Sequence, residues 1–241
     1  MTSTTNTATQ EELAKLHSEG YFIREGFFSP DELSAVEEAA NRAVNYHNEN
    51  RRDGQDLYSS VSCKDGIIFV NEFMDPSGEA DALLRFALQP RVTEFARSIA
   101  GARVAHHCYQ LVYKFPQYHN PFPWHQDHNH TPANQNFYNM WIALSDMTVA
   151  NGCLRVLPKI GLDTMLRYAD TPFGKTCWPL DHSDQGVPME MERGSIFMIT
   201  SRTLHSSGGN YTDGLRKAML LAFIDQDATV YGEPVRVRHY S

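Results

Sequence analysis

From Arg103 onward the chain breaks into short runs rich in β-branched, aromatic and large apolar residues. The runs are Val104 to Phe115, Phe137 to Leu144, Gly152 to Leu157, Met189 to Glu192, Ser195 to Thr200 and Lys217 to Ile224. Gly, Pro, Asn and Asp cluster between them, as the ends of strands require. Before Arg103 the pattern is mostly helical. Glu11 to Glu19 reads as a short helix and Tyr21-Phe22-Ile23 as a strand. Ser29-Pro30-Asp31-Glu32 is a helix start, with a serine cap, a proline in the first turn and acids at the positive end of the dipole. Leu33, Val36, Ala40 and Val44 carry that helix to about His47. Gly66 to Phe73 reads as a strand, and Ala80 to Gln89 and Pro90 to Ala100 as two short helices. A helical first part followed by about eight strands predicts an α+β chain with a mainly β core. That core is a jelly roll over about 103–225, with the N-terminal helices packed on it.

At 241 residues one such domain, 11–241, accounts for the chain beyond a Thr/Asn-rich tail at 1–10, expected to be disordered. The tail lacks the basic start and apolar stretch of a signal peptide. No apolar run reaches the length of a membrane span. The net charge of -8 repels phosphate backbones, so neither nucleic acid nor an anionic membrane is expected as a partner. Cys63, Cys108, Cys153 and Cys177 show no paired short spacing; this fits reduced, buried thiols and a cytoplasmic location. Oligomeric state is not legible.

Six of the 11 histidines lie between His106 and His130, and among them is Trp124-His125-Gln126-Asp127. In an extended segment alternate residues face the same side, so His125 and Asp127 can reach one metal. The pair alone is common by chance. Its second half comes 80 residues later, where His205 opens the Gly-rich stretch Leu204 to Asn210, followed eleven residues on by Arg216. Two imidazoles and a carboxylate with open positions opposite are the ligand set of non-heme Fe(II) oxygenases. A cation beyond the second histidine suits a co-substrate bearing a carboxylate, which arginine grips with a planar fork.

With Trp141-Ile142-Ala143-Leu144, Asn151 to Pro158 and Gly194-Ser195-Ile196-Phe197, these segments resemble the phytanoyl-CoA dioxygenase family of Fe(II)/2-oxoglutarate oxygenases, in order and spacing, over roughly 100–225. The resemblance implies a cupin-like double-stranded β-helix with Fe(II) on His125, Asp127 and His205. It implies that Arg216 holds the distal carboxylate of 2-oxoglutarate. Ser207 would assist, Trp141 would wall the co-substrate, and Gln110 and Lys114 would lie on the strand that makes further contacts. Because Asp127 is a carboxylate and not a small residue, the expected outcome is oxidation with O2, not halogenation.

The expected reaction is hydroxylation of an unactivated C–H in a small polar metabolite or biosynthetic intermediate, releasing succinate and CO2. Desaturation, cyclisation and demethylation remain open with the same cofactors. A non-catalytic ligand-binding barrel and a metal hydrolase are the rivals from other classes. His128, His130 and Tyr113 are candidate substrate contacts. Trp178 and His182, in the Asp163 to Val187 insertion, and the polar loop Asn48 to Ser62 are candidates to cover the site. Asn210 is expected to be a structural turn residue.

Overall fold

A computed structural model describes residues 5–49, 66–72, 77–119, 121–127, 137–164, 166–171, 174–177, 186–230, 233–234 and 237–238. The helices are α1 (Gln10–Glu19), α2 (Pro30–Glu49), α3 (Ala80–Ala87) and α4 (Pro90–Ala100). The strands are β1 (Tyr21–Arg24), β2 (Ile67–Asn71), β3 (Val104–Lys114), β4 (Phe122–His125), β5 (Phe137–Ala143), β6 (Leu154–Val156) and β7 (Tyr168–Thr171). They continue as β8 (Gly174–Cys177), β9 (Val187–Pro188), β10 (Ile196–Thr200), β11 (His205–Ser207), β12 (Arg216–Asp225), β13 (Thr229–Val230) and β14 (Glu233–Pro234).

The large sheet runs β1-β10-β5-β12-β3-β2 and the small one β4-β11-β6-β9; β7 with β8 and β13 with β14 form separate hairpins. Pairing is antiparallel throughout these sheets. The two sheets make the double-stranded β-helix expected from the sequence. Its large sheet reaches beyond 103–225, because β1 and β2 from the helical third form both of its edges.

Alternation along the central strands builds two cores. On β12, Met219, Leu221 and Phe223 join Phe27, Phe28, Leu33, Val36 and Phe95 on the helix side of the large sheet. Ala218, Leu220 and Ala222 face the other way and join Val112, Trp141, Leu154, Val156 and Phe197 inside the barrel. A strand buried on both faces must be apolar at successive positions, which is why Ala218 to Ile224 reads as an unbroken run. Each large side chain so buried contributes about 1.5–3 kcal/mol.

Capping boxes fix the first two helices. Glu12 N–H donates to Thr9 Oγ1 while Thr9 N–H donates to the Glu12 carboxylate. Ser29 and Glu32 repeat the exchange at α2. The expected free tail is partly fastened. Ala8 N–H donates to Ser98 Oγ at 2.8 Å, Asn6 reaches Glu94, and the buried Arg24 guanidinium takes the carbonyls of Thr5 and Thr7 together with the Glu12 carboxylate. The expected strand at Met189 to Glu192 is also displaced. The ladder is at Val187–Pro188, and Met191 makes an isolated bridge to Met147.

Candidate metal centre and carboxylate pocket

The strands β4 and β11 lie side by side, with His125 opposite His205. His205, which opens the Gly-rich stretch in the sequence, stands on a short strand held between β4 and β6. The two imidazole centroids are 4.1 Å apart. Each ring is aimed by the carbonyl two residues before it: His125 Nδ1 donates to Pro123 O at 2.8 Å and His205 Nδ1 to Thr203 O at 2.9 Å. A carbonyl only accepts, so each Nδ1 donates, and Nε2 is the ring atom left to face a metal. Both Nε2 atoms point at Asp127, at 3.4 Å from Oδ1 for His125 and 3.7 Å from Oδ2 for His205. The donor atoms of all three side chains lie within 4.8 Å of one another. This donor set fits a divalent iron with open positions.

The protonation states suit ligands. Burial pushes His205 down, and the neighbouring His125 adds to this, leaving it at about 4 and therefore neutral near pH 7. Burial alone would raise Asp127. The two imidazoles beside it, His205 and then His125, and the hydrogen bond from Asn139 outweigh it and hold the carboxyl at about 2.

Two residues that the sequence did not flag hold this corner. Asn139 on β5 is buried and donates to Asp127 Oδ2 at 2.6 Å. Gln126, between the two ligands, is buried on the opposite side. Its amide reaches the carbonyls of Gly161, Thr164 and Arg202 and accepts from Leu166 N–H. It ties the ligand-bearing segment to the loops behind it.

Below the triad sits a pair of cations. Arg216 opens β12 directly opposite Lys114 at the end of β3, and both are buried, at 1% and 0% exposure. Lys114 Nζ donates to Ser207 Oγ at 2.8 Å and to the Gly208 carbonyl. Arg216 Nε and Nη1 have no partner among the described residues, and no carboxylate meets either cation there. Burial pulls Arg216 down to about 10. Lys114 falls well below the ordinary lysine value through burial and then through Arg216 itself. Buried guanidinium N–H groups without acceptors are costly. A carboxylate is the planar, two-oxygen anion that would satisfy them.

Short side chains lie on the rungs between cations and triad. Facing positions on β12 and β5 pair Ala218 with Ala143, Leu220 with Trp141, and Ala222 with Asn139. Three of the six are alanines, so the side chains on the line from Arg216 to Asp127 are short. Trp141 stands beside this line, with a buried indole N–H that has no partner among the described residues. Gln110 is half-buried on the same face of β3 as Lys114, opposite Leu220.

Tyr113 is not part of this site. It lies on the opposite face of β3, in the helix-side core, with its hydroxyl donating to Asn41 Oδ1 at 3.1 Å. Strict alternation from Lys114 already requires that placement. His128, His130, Trp178, His182 and the loop after Glu49 lie outside the described residues. Asn210 is the expected structural residue: its side-chain amide donates to the carbonyls of Lys114 and Gly214.

Exposure rises towards the other end of the barrel. The His125 and Asp127 side chains are 22% and 23% exposed, against 1% for His205. Beyond them come the half-buried Phe69, Phe122, Phe137 and His107. Phe122 packs on His125 at 4.8 Å and on Phe69 at 5.8 Å, and His107 meets Phe137 edge-on at 5.9 Å. These four, also missed from sequence, form an aromatic approach to the metal corner.

A jelly roll carrying a His-Asp-His corner and a buried arginine defines the class of Fe(II)/2-oxoglutarate oxygenases. Within it the chain belongs to the phytanoyl-CoA dioxygenase family, whose model matches residues 16–218. It is an Fe(II)-, 2-oxoglutarate- and O2-dependent dioxygenase. It is 24% identical over 258 residues to a phytanoyl-CoA dioxygenase of Arabidopsis thaliana, covering 92% of this chain and 91% of that one. It is 23% identical to a probable alpha-ketoglutarate-dependent hypophosphite dioxygenase of Stutzerimonas stutzeri, covering 87% of this chain and 76% of the relative. Among solved structures, the carbocyclase SnoK from nogalamycin biosynthesis superposes with a TM-score of 0.74 at 20% identity, covering 100% of this chain and 97% of the other. EvdO2 of Micromonospora carbonacea var. aurantiaca, complexed with 2-oxoglutarate, gives 0.70 at 21% identity and covers 97% of both chains. Among the described residues, no helix is long and apolar enough to cross a membrane.

Proposed function

We propose that the chain hydroxylates an unactivated C–H of a small molecule, with His125, Asp127 and His205 as the iron ligands and Arg216 as the anchor of 2-oxoglutarate. The observation that carries the reading is the buried Arg216 guanidinium, without a partner among the described residues and on the same barrel face as the triad. A purely structural metal site needs no such cation, and neither does a metal hydrolase. Bound iron supplies the oxidising chemistry, coupled to conversion of 2-oxoglutarate and O2 into succinate and CO2.

The chain's own residues orient and exclude. The carbonyls of Pro123 and Thr203 fix the two rings, and Asn139 fixes the carboxylate. Ser207 and Lys114 complete the carboxylate pocket with Arg216. Trp141 closes one side of the co-substrate channel and has an indole N–H to donate; Gln110 flanks it.

The substrate enters over Phe69, Phe122 and Phe137, past His107. Such a mouth suits a compact molecule with one apolar face and a hydrogen-bonding edge, as many biosynthetic intermediates have. No cluster of cations for a nucleotide-linked carrier stands at this mouth among the described residues. The test is a panel of such molecules, scored for substrate-stimulated succinate formation and, by mass spectrometry, for a product carrying one added oxygen. A product that has lost two hydrogens instead would replace hydroxylation by desaturation or ring closure. No succinate from any mixture containing bound iron and 2-oxoglutarate would count against an oxygenase.

A further inference from the structure

Lys114 and Arg216 are two fully buried cations on paired strands, and among the described residues no acid lies against them. Among the described residues, the groups that face Lys114 come from several elements. Arg216 comes from β12, and Ser207 Oγ and the Gly208 carbonyl from β11 and its following turn. The Tyr118 ring lies 5.9 Å away and the Cys153 thiol comes from the segment before β6. Ile67 pairs from β2. Glu190 influences Cys153 but not the lysine, and its carboxylate is engaged by Val149 N–H. Cys153 is itself a neutral thiol, raised to about 11 chiefly by burial, so it offers no anion near neutral pH.

Two uncompensated charges in one buried pocket are costly, and a group that can release its proton relieves that cost by discharging. Arginine does not, whereas lysine does so readily. We propose that Lys114 stands as a neutral amine in the co-substrate-free protein and takes up one proton when the distal carboxylate of 2-oxoglutarate binds between it and Arg216. The bound anion supplies the missing counter-charge, so the amine becomes an ammonium and adds a charge-assisted bond to the one from Arg216. The depressed lysine accords with the geometry. The proton comes from solvent, and no covalent bond is made or broken elsewhere. This rests on the reading of Arg216 as the 2-oxoglutarate anchor.

The experiment is isothermal calorimetry of 2-oxoglutarate binding to the Mn(II)-loaded protein, in buffers of matched pH and different ionisation enthalpies. The wild type is expected to take up close to one proton per ligand near pH 8. Its Kd should weaken with rising pH, towards about tenfold per pH unit. Lys114→Arg, which keeps a permanent charge, is expected to bind with no such uptake. Lys114→Met is expected to bind more weakly and also without uptake, with its melting temperature measured to confirm the fold. Equal proton uptake in wild type and Lys114→Arg would overturn the proposal, assigning the proton to the metal site. Binding to wild type without uptake would overturn it while leaving the anchor reading intact. No binding to the Mn(II)-loaded wild type would overturn both.

Discussion

Replacing Asn139 by leucine separates the metal corner from the fold that carries it. Asn139 Nδ2 gives Asp127 Oδ2 a charge-assisted hydrogen bond of 2.6 Å, while its own Oδ1 is buried with no partner among the described residues. Leucine keeps the volume, deletes that bond and removes an unsatisfied oxygen. Asp127 is 23% exposed, so water can replace the lost donor on its carboxylate. The stability change is therefore small, within about 1 kcal/mol, since replacing an under-satisfied polar group by an apolar one of similar shape is close to neutral. Metal affinity is a different matter. A hydrogen bond to a charged group is worth about 1.5–3 kcal/mol, and outer partners of metal ligands carry about 10- to 100-fold in affinity. Asn139→Leu is expected to weaken Fe(II) binding by that factor, measured by anaerobic competition against a calibrated chelator, while its thermal melt stays within a few degrees of wild type. Metal affinity within twofold of wild type would show that Asp127 does not depend on Asn139 for its position. A collapsed melt would show that the residue serves the fold instead.

Asp127→Ala is expected to abolish 2-oxoglutarate turnover and cut metal affinity by well over 100-fold, while circular dichroism stays that of the wild type. Arg216→Met is expected to raise the Kd for 2-oxoglutarate about 10- to 100-fold yet leave the co-substrate-free protein at least as stable, because it removes a buried and unpaired charge; a lower melting temperature with unchanged affinity would refute both halves. Gly152 has φ near 81°, and an added Cβ would sit 2.5 Å from the Gly208 carbonyl; Gly152→Ala is therefore expected to cost at least about 1–2 kcal/mol and to disturb the Ser207–Gly208 cradle of Lys114, read by denaturant titration and 2-oxoglutarate affinity. Glu72 would be raised by burial, but hydrogen bonds from His106 and Arg238 hold it below the ordinary value. Its stabilising contribution is accordingly complete above about pH 5 and is lost as pH falls through its folded value; the stability gap between wild type and Glu72→Gln should be constant above pH 5 and shrink below it.

The parts legible in the sequence were those whose physics is local. The apolar run ending at Ile224 announced a strand, and Ser29-Pro30-Asp31-Glu32 marked a helix start that the structure places at Pro30. His125 and Asp127 declared themselves by period-two spacing on an extended segment. The strand carrying His205 did not, because His-Ser-Ser has no apolar signature and is extended only through its pairing with β4 and β6. Asn139 was invisible for a related reason. An asparagine inside an apolar strand reads as a stray polar residue until its partner, Asp127 on another segment, is brought to it. Lys114 and Tyr113 show the opposite case: alternation along β3 puts them on opposite faces, so a pocket that holds Lys114 excludes Tyr113.

The central claim is that one protein surface holds iron and a 2-oxoglutarate carboxylate at once. Anaerobic titration of the Fe(II)-loaded protein with 2-oxoglutarate, followed by the weak visible metal-to-ligand absorption of the chelate, tests it directly. The account predicts saturable absorption in the wild type, none in His205→Ala, and a strongly right-shifted curve in Arg216→Met. Demonstrable iron binding with no absorption at saturating 2-oxoglutarate, or an Arg216→Met curve superposable on wild type, would contradict it.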